Sequence, residues 1–363
     1  MSLYEESIQL LRQMVRIPSL SGEEAGVAAC IGESLDAWGI PFAQVRGNLL
    51  ALNRRFDPGK PTLALDAHLD TVPVSSGYTR DPFDSGNDPD IIYGLGSNDD
   101  GGSVVSMIAA FRHFFEAQMP FNLMLVLSRQ EEVAGPDGAR WLFAPDGLFA
   151  TDARWPMPCR VIVGEPTGMR PATSERGLLV LDGLAQGVSG HAARGEGVNA
   201  LYIALDDIAA LRAHRFARHS PLMGDVHLNV TQIAAGQAHN VIPDRCSFVV
   251  DIRPTEQYDN REILDELQAL CRSRLTARNL ANRSSATAAD SPLLRAAAAL
   301  GLETYSSPTT SDWMRIPCDA VKMGPGESAR SHKADEFILA REIAQGIDGY
   351  IAFIETLYGY SLE

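Results

Sequence analysis

The stretch LALDAHLDTVP, residues 63–73, is an apolar strand that turns polar at His68 and Asp70. Neutral imidazole is a common ligand of zinc-like ions, and a carboxylate two residues away can bond the other ring nitrogen and select the tautomer. Alone, the segment describes equally well a histidine hydrogen-bonded at a strand end. Its surroundings decide the fold. Upstream, residues 4–16 and 23–38 read as helices, the first with Tyr4, Ile8, Leu11 and Val15 on one side and the second ending before Gly39. Strand-like segments follow at 48–53 and Thr62–His68, then a helix at 101–115 behind a glycine-rich turn, and strands at Asn122–Ser128 and Arg160–Val163. Strands alternating with helices define an α/β layered domain. Polar clusters around His68, Glu131 and Glu165 then fall just past the C-terminal ends of strands, where open α/β sheets place their sites.

After about Thr173 the texture changes. Segments 177–188, 225–233 and 245–253 read as strands, and 199–212 and 259–274 as helices. Strand, helix, two strands, helix is most of a ferredoxin-like split βαβ order, with the last strand expected near 275–285. From Pro292 the α/β texture resumes with a helix at 293–302, a strand at 320–323 and a final helix at 337–357. A chain of 363 residues exceeds the length at which single cores stop growing. The reading is a small domain, 175–285, inserted into a larger discontinuous one, 1–174 and 286–363.

Composition excludes whole classes. With 46 Asp plus Glu against 31 Lys plus Arg, a net charge of −15, the chain lacks the basic surplus of a nucleic-acid binder. The N-terminus carries Glu5 and Glu6 where a signal peptide would be basic, and no apolar run approaches the roughly 20 residues that span a bilayer. Five cysteines, odd in number and without a CxxC pattern, point to reduced thiols in a cytoplasm and away from disulfides or Cys-type zinc sites.

The remaining chemistry gathers in four segments. YGLGSNDDGGS, residues 93–103, sets Asp99 and Asp100 in a glycine-bounded turn before a helix. Asp99 stands where a dinucleotide fingerprint needs its third glycine, and two carboxylates repel a pyrophosphate, so the pair reads as helix caps or metal ligands. SRQEEV, residues 128–133, sets Glu131 and Glu132 side by side; on an extended backbone they would face opposite ways, one toward a metal and one toward a water. Glu165 in VGEPT adds a carboxylate and His332 in GPGESARSHKADEF an imidazole. Two histidines and several carboxylates without thiolates suit divalent metal ions. No GxSxG elbow, HExxH or P-loop competes.

The ordered set HxDTVP, GxGxxDD, EE, GEPT, GHAA, NVIPD, DIRPT and GPG…SH resembles the M20 family of dinuclear metallohydrolases, over nearly the whole chain. The nearest likeness is to the group of acetylornithine deacetylase, acetylcitrulline deacetylase and succinyl-diaminopimelate desuccinylase. That resemblance implies a zinc-exopeptidase-like catalytic domain, a mixed sheet flanked by helices, with the ferredoxin-like α+β insertion acting as a dimerisation lid. It implies two divalent ions, zinc by default with cobalt or manganese as substitutes. His68 and Glu165 would hold one, Glu132 and His332 the other, and Asp99 would bridge them across a cis bond to Asp100. Asp70 would orient His68, and Glu131 would be the general base. His191 would stabilise the oxyanion from the partner subunit of a homodimer, while Asn240 and Arg253 would grip a substrate carboxylate. The expected reaction is hydrolysis of an N-acetyl or N-succinyl amino acid, ornithine or citrulline in arginine biosynthesis. A dipeptidase, a carboxypeptidase or a desuccinylase of diaminopimelate stands as the alternative within the class, and a non-catalytic dimeric binding module outside it. Thr310, Ser311 and Asp312 resemble a substrate-side loop, although polar loop composition explains them equally. Gly101 departs from the lysine that many members carry there, which leaves the ligand set intact but weakens any transfer of substrate preference.

Overall fold

Ser2 opens the first helix, α1 (Leu3–Val15). Its hydroxyl accepts the Glu5 N–H and the Glu5 carboxylate accepts the Ser2 N–H, which satisfies donors that a helix start leaves without partners. The computed structural model describes residues 2–362. They divide into two units: residues up to 173, 286–305 and from 311 onward form the first, and residues 174–285 with 306–310 form the second.

In the first unit α1 is followed by α2 (Ala25–Ala37), β1 (Ala43–Val45), β2 (Asn48–Leu52), β3 (Thr62–His68), β4 (Ile91–Tyr93), α3 (Gly102–Phe114) and β5 (Asn122–Ser128). Short helices α4 (Ala139–Leu142) and α5 (Leu148–Thr151) lead to β6 (Arg160–Val163), and the chain leaves through β7 (Ala172–Glu175). The second unit contributes β8 (Leu179–Gln186), β9 (Gly190–His191), α6 (Ala200–Ala213), β10 (His227–Ala235), β11 (Val241–Ile242), β12 (Arg245–Arg253), α7 (Asn260–Leu270) and β13 (Arg274–Ala277). The chain returns through β14 (Ser285–Ala286), and then come α8 (Pro292–Ala299), β15 (Tyr305–Ser307), β16 (Asp319–Lys322), β17 (Phe337–Leu339) and α9 (Ala340–Leu357).

The main sheet of the first unit runs β1-β2-β5-β3-β6-β16. Strands β5, β3, β6 and β16 are parallel, while β1 and β2 are antiparallel, so the sheet is mixed. Every residue of β3 and β5 is buried, as expected of parallel strands covered on both faces. Leu63, Leu65 and Ala67 belong to one apolar core with residues of α1, α2, α3, α8 and α9; Ala64, Met124 and Val126 belong to another with Leu142, Phe149 and Trp313. Burying each such leucine contributes roughly 1.5–3 kcal/mol. The register sets His68 opposite Ser128 and Asp66 opposite Val163, so the three central strands end together.

The second unit has the four-stranded antiparallel sheet β10-β12-β8-β13, with α6 and α7 supplying its core. In chain order that is 2-3-1-4, a ferredoxin-like arrangement. Asn199 caps α6 and Asp259 caps α7. The final strand lies at Arg274–Ala277, at the start of the range expected for it; only Arg274 was read as helix, and it joins the ladder against β8 because α7 stops at Leu270. The last helix likewise starts later than its apolar pattern suggested. Phe337–Leu339 form β17, paired with β4, and Glu342 then caps the Leu339 N–H at the start of α9.

Gly164 closes β6 where no side chain fits. Its N–H donates to the Asp66 carbonyl at 2.6 Å, and an added Cβ would meet Ser103 Cβ at 2.8 Å and Asp100 Oδ2 at 2.9 Å. We expect Gly164→Ala to lower unfolding stability by about 1–3 kcal/mol through overpacking. Urea unfolding checks this, and an unchanged midpoint would show that the turn relaxes freely.

Candidate active site

Beyond the ends of β3, β5 and β6 the chain delivers His68, Glu131 and Glu165, and the glycine-bounded turn before α3 delivers Asp99. Two groups of donor atoms result, each within 4.8 Å: His68 with Glu131 and Glu165, and His68 with Asp99 and Glu132. Asp99 lies between the two imidazoles. Its Oδ1 is 3.2 Å from His68 Nε2 and its Oδ2 is 3.7 Å from His332 Nε2, while His332 Nε2 is 3.1 Å from Glu132. The Asp99–Asp100 peptide bond is cis.

The tautomer of His68 follows from its partners. Nδ1 lies 2.9 Å from the Asp70 backbone carbonyl, which only accepts, so Nδ1 carries the proton and the Nε2 lone pair faces Asp99. A lone pair facing a carboxylate oxygen calls for a cation or a proton between them. At His332, Nε2 likewise lies 3.1 Å from a carboxylate, that of Glu132. This donor set, imidazole nitrogens and carboxylates without thiolates, fits divalent ions.

Charge makes the same demand. Burial pushes Glu131 and Glu165 well above the usual carboxylate range, and repulsion adds to it, from Glu165, Asp312 and Glu132 on Glu131 and from Asp99 on Glu165. His68 opposes the rise at both, and the buried Lys322 ammonium opposes it at Glu165. Asp100 is raised to about 8 and Asp312 to about 6, chiefly by loss of solvation. At Asp99 burial works the other way, but the closeness of the His68 and His332 imidazoles outweighs it and holds the carboxyl below its ordinary value. For His68 burial works against the charged form, but Asp70 and Asp99 raise it well above the ordinary imidazole value.

The Asp70 side chain makes its close contacts elsewhere than at His68. Its carboxylate is 3.5 Å from Nδ1, but it accepts the N–H groups of Glu131 at 2.9 Å and Glu132 at 3.1 Å and the Ser21 hydroxyl at 2.6 Å. It therefore shapes the turn that carries both glutamates. That turn, with Gln130 at φ +60° and the Ala134 N–H on the Glu131 carbonyl, replaces the extended backbone expected at Glu131 and Glu132. The two carboxylates take separate places because the chain curls.

The remaining candidate residues lie in the second unit. His191 in β9 pairs with Val241 in β11, and the Asn240 carbonyl accepts the Ala192 N–H, so His191 and Asn240 are neighbours on an exposed two-stranded ladder. His191 Nδ1 accepts the Ala193 N–H at 3.2 Å, which leaves Nε2 as the proton-bearing nitrogen of the neutral ring. Arg253 ends β12, its guanidinium on Asp251 at 2.9 and 3.3 Å. Thr310 is the last residue of the second unit; Ser311 and Asp312 belong to the first, where Asp312 accepts the Ser128 hydroxyl at 2.7 Å.

One residue of the site escaped sequence reasoning. Glu336, buried, accepts the N–H groups of Asn98 and Asp99 at 2.8 and 2.9 Å and of Gly96 at 3.1 Å, and burial raises it to about 7. The only hint in the sequence is its place four residues after His332. Its partners lie on a distant segment of the chain.

Adjacent parallel strands ending in a paired set of imidazole and carboxylate donors define the metal-dependent hydrolase class. Residues 64–356 match the model of Peptidase family M20/M25/M40, and the chain belongs to that family. Acetylornithine deacetylase of Proteus mirabilis is 26% identical over 370 residues, 91% of each chain. Succinyl-diaminopimelate desuccinylase of Acidiphilium cryptum is 27% identical over 270 residues, 71% of this chain and 70% of that one. Among solved structures, aminopeptidase PepT of Bacillus cereus superposes with a TM-score of 0.76 at 18% identity, covering 98% of both chains. A dinuclear metal-binding M20 peptidase of Bacillus subtilis does so with 0.71, also at 18% and 98% of both. The protein is a metal-dependent hydrolase of amide bonds.

Glu336→Ala would strand three amide donors at the Asp99 turn. We expect a stability loss of about 2–4 kcal/mol from unmade buried hydrogen bonds and metal affinity reduced roughly 10- to 100-fold. Glu336→Gln, which keeps an acceptor, should lose less of both. Urea unfolding and cobalt titration test the order.

Proposed function

We propose that the protein is a two-metal amidohydrolase that removes an acetyl or succinyl group from the nitrogen of ornithine or citrulline, in arginine biosynthesis. The observation that carries this reading is Asp99 set between His68 and His332, with Glu131, Glu132 and Glu165 completing the donor groups. The choice of acyl group and amino acid draws on the curated relatives, which are deacetylases and a desuccinylase. In this reading His68 and Glu165 would hold one ion and Glu132 and His332 the second, with Asp99 shared between them. Zinc is the proposed metal, with cobalt or manganese able to replace it. When bound, the ions supply Lewis-acid polarisation of the carbonyl and acidify water.

The chain's own groups do the rest. Glu131 takes a proton from the attacking water and hands it to the departing amine, and its position beside His68 and Glu165 suits a base that must hold that proton between the two steps. Asp70 keeps Glu131 in place through the amide. His191 donates its Nε2 proton as a hydrogen bond to the oxyanion. Asn240 and Arg253 bind the substrate carboxylate, the guanidinium fork exchanging Asp251 for the ligand.

Residues 1–174 and 286–363 are the catalytic domain of this reading, and 175–285 the dimerisation lid. Support for a homodimer comes from the second unit alone. His191 and Asn240 extend from the Gln186 end of β8, whereas Arg253 lies at its Leu179 end. Eight strand residues separate the ends by roughly 23 Å. No single N-acyl amino acid touches both ends from one copy, so His191 and Asn240 serve the partner's site, where they meet a substrate held by that subunit's Arg253. The edge strand β10 and helix α6 expose Ile233, Tyr202 and Leu205 for that contact. No described helix is long and apolar enough to cross a membrane, and the five thiols are unpaired, which supports a cytoplasmic setting.

The deciding experiment is a hydrolysis screen of N-acetyl and N-succinyl ornithine, citrulline and diaminopimelate together with dipeptides, using chelated protein reloaded with zinc or cobalt. Cleavage of an acylated ornithine or citrulline above the others is expected. Preference for dipeptides would make it a peptidase, and cleavage of nothing would leave a binding module. Glu131→Ala should retain both metals and lose nearly all turnover, because it removes the base.

Subunit complementation tests the dimer. His191→Ala and Glu131→Ala are each expected to be inactive, and mixing them under exchange should restore about a quarter of wild-type activity, since half the dimers are mixed and each has one intact site. No recovery after verified exchange would return His191 to its own subunit.

A further inference from the structure

The turn that bears Glu131 and Glu132 is held on a second side by a group outside the metal-binding motifs. Glu24 sits at the N-terminus of α2 with its side chain only 2% exposed. Its Oε1 accepts the Gly22 N–H at 2.7 Å and the Gln130 N–H at 3.2 Å, and its Oε2 is 2.7 Å from the Arg129 guanidinium. Arg129 and Gln130 are the two residues immediately before Glu131. Gln130 has a left-handed backbone, φ +60°, in which a side chain is disfavoured, so neighbouring contacts must hold it. Arg129 is further tied through its N–H to Asn48 Oδ1 at 3.1 Å and through its guanidinium to the Arg46 carbonyl at 3.2 Å. Three residues before Glu24, the Ser21 hydroxyl bonds Asp70 Oδ2, whose carboxylate receives the next two amides of the turn. The segment from Ser21 to Glu24 thus braces four consecutive residues, Arg129 to Glu132.

We propose that Glu24 is a positioning residue: its carboxylate clamps Arg129 and Gln130 and so sets the place of the Glu131 and Glu132 carboxylates. Glu24 touches neither substrate nor metal donors, and it acts by fixing where the backbone reverses. This inference rests on the reading of Glu131 as base and Glu132 as ligand, and two independent readouts separate its failure from failure of that reading.

The test compares Glu24→Ala and Glu24→Gln with wild type. The amide of Gln keeps an acceptor for the Gln130 N–H but loses the ion pair with Arg129, whereas Ala loses both. With the substrate found by the screen, Glu24→Ala should lower kcat roughly 10- to 100-fold, the scale on which small misplacement and lost support of ligands act, and leave KM within about threefold, a split that marks loss at the reacting centre. Glu24→Gln should recover a large part of kcat. In cobalt titration of the same proteins, which requires no substrate, Glu24→Ala should weaken the site containing Glu132 and leave the one containing Glu165 within about threefold. Circular dichroism and melting curves establish that assays are made on folded protein; if Ala fails to fold, Gln carries the test through a smaller loss in the same direction. Unchanged kcat and cobalt affinities in a folded Ala variant would overturn the proposal, as would equal weakening of both sites. A wild type that hydrolyses nothing would sink the catalytic reading, while the cobalt arm would still decide the role of Glu24.

Discussion

A carboxylate removed from water must find a cation, a proton or N–H donors, and the first unit is arranged around that requirement. Two sets of its carboxylates meet that requirement in different ways. Asp70 accepts two amides and a hydroxyl, Glu336 accepts three amides, and Glu24 accepts two amides and pairs with Arg129. These are satisfied by the protein, and in being satisfied they fix the turns they bind. Asp99, Glu131, Glu132 and Glu165 crowd two imidazoles instead. Their charge is left for something the chain does not supply, and divalent cations are what that donor set accepts. The first kind builds the scaffold on which the second kind is held in mutual repulsion.

The parallel strands explain why this arrangement is affordable in stability. β3, β5 and β6 are adjacent, apolar on both faces and in register, so their ends lie side by side without any side chain having to search for its place. The electrostatic cost is concentrated at one rim, while the two cores beneath carry the stabilisation.

That rim was legible in the sequence because it is written in local patterns. Thr62–His68, Asn122–Ser128 and Arg160–Val163 are apolar runs closed by polar residues, and their observed bounds coincide with the expected ones. What local pattern does not encode is pairing. Phe337–Leu339 is as apolar as the helix it precedes, and only its partner Ile91–Tyr93 makes it a strand. Glu131 and Glu132 separate through a turn held by Asp70 and Gln130, a geometry that adjacent letters cannot show. Glu336 was invisible for the same reason, since its role depends on amides brought to it by the fold.

The proposed division of labour between the units bears on how substrate preference varies among such proteins. Both metal-donor groups come from the first unit, whereas His191, Asn240 and Arg253 come from the second. A change of acyl group leaves the amide chemistry untouched, so only the gripping residues and surrounding loops need to change. The resemblance of this chain to both an acetylornithine deacetylase and a succinyl-diaminopimelate desuccinylase at 26–27% identity fits such a partition. Residues answering to the amide bond are constrained by metal geometry, and those answering to the rest of the substrate only by its shape and charge. The distance along β8 between His191 and Arg253 adds a further condition: in the proposed dimer, a substitution at either end acts on a different copy's substrate. Under that proposal, preference is a property of the pair of subunits, and a change at His191 is read out in the neighbour's turnover.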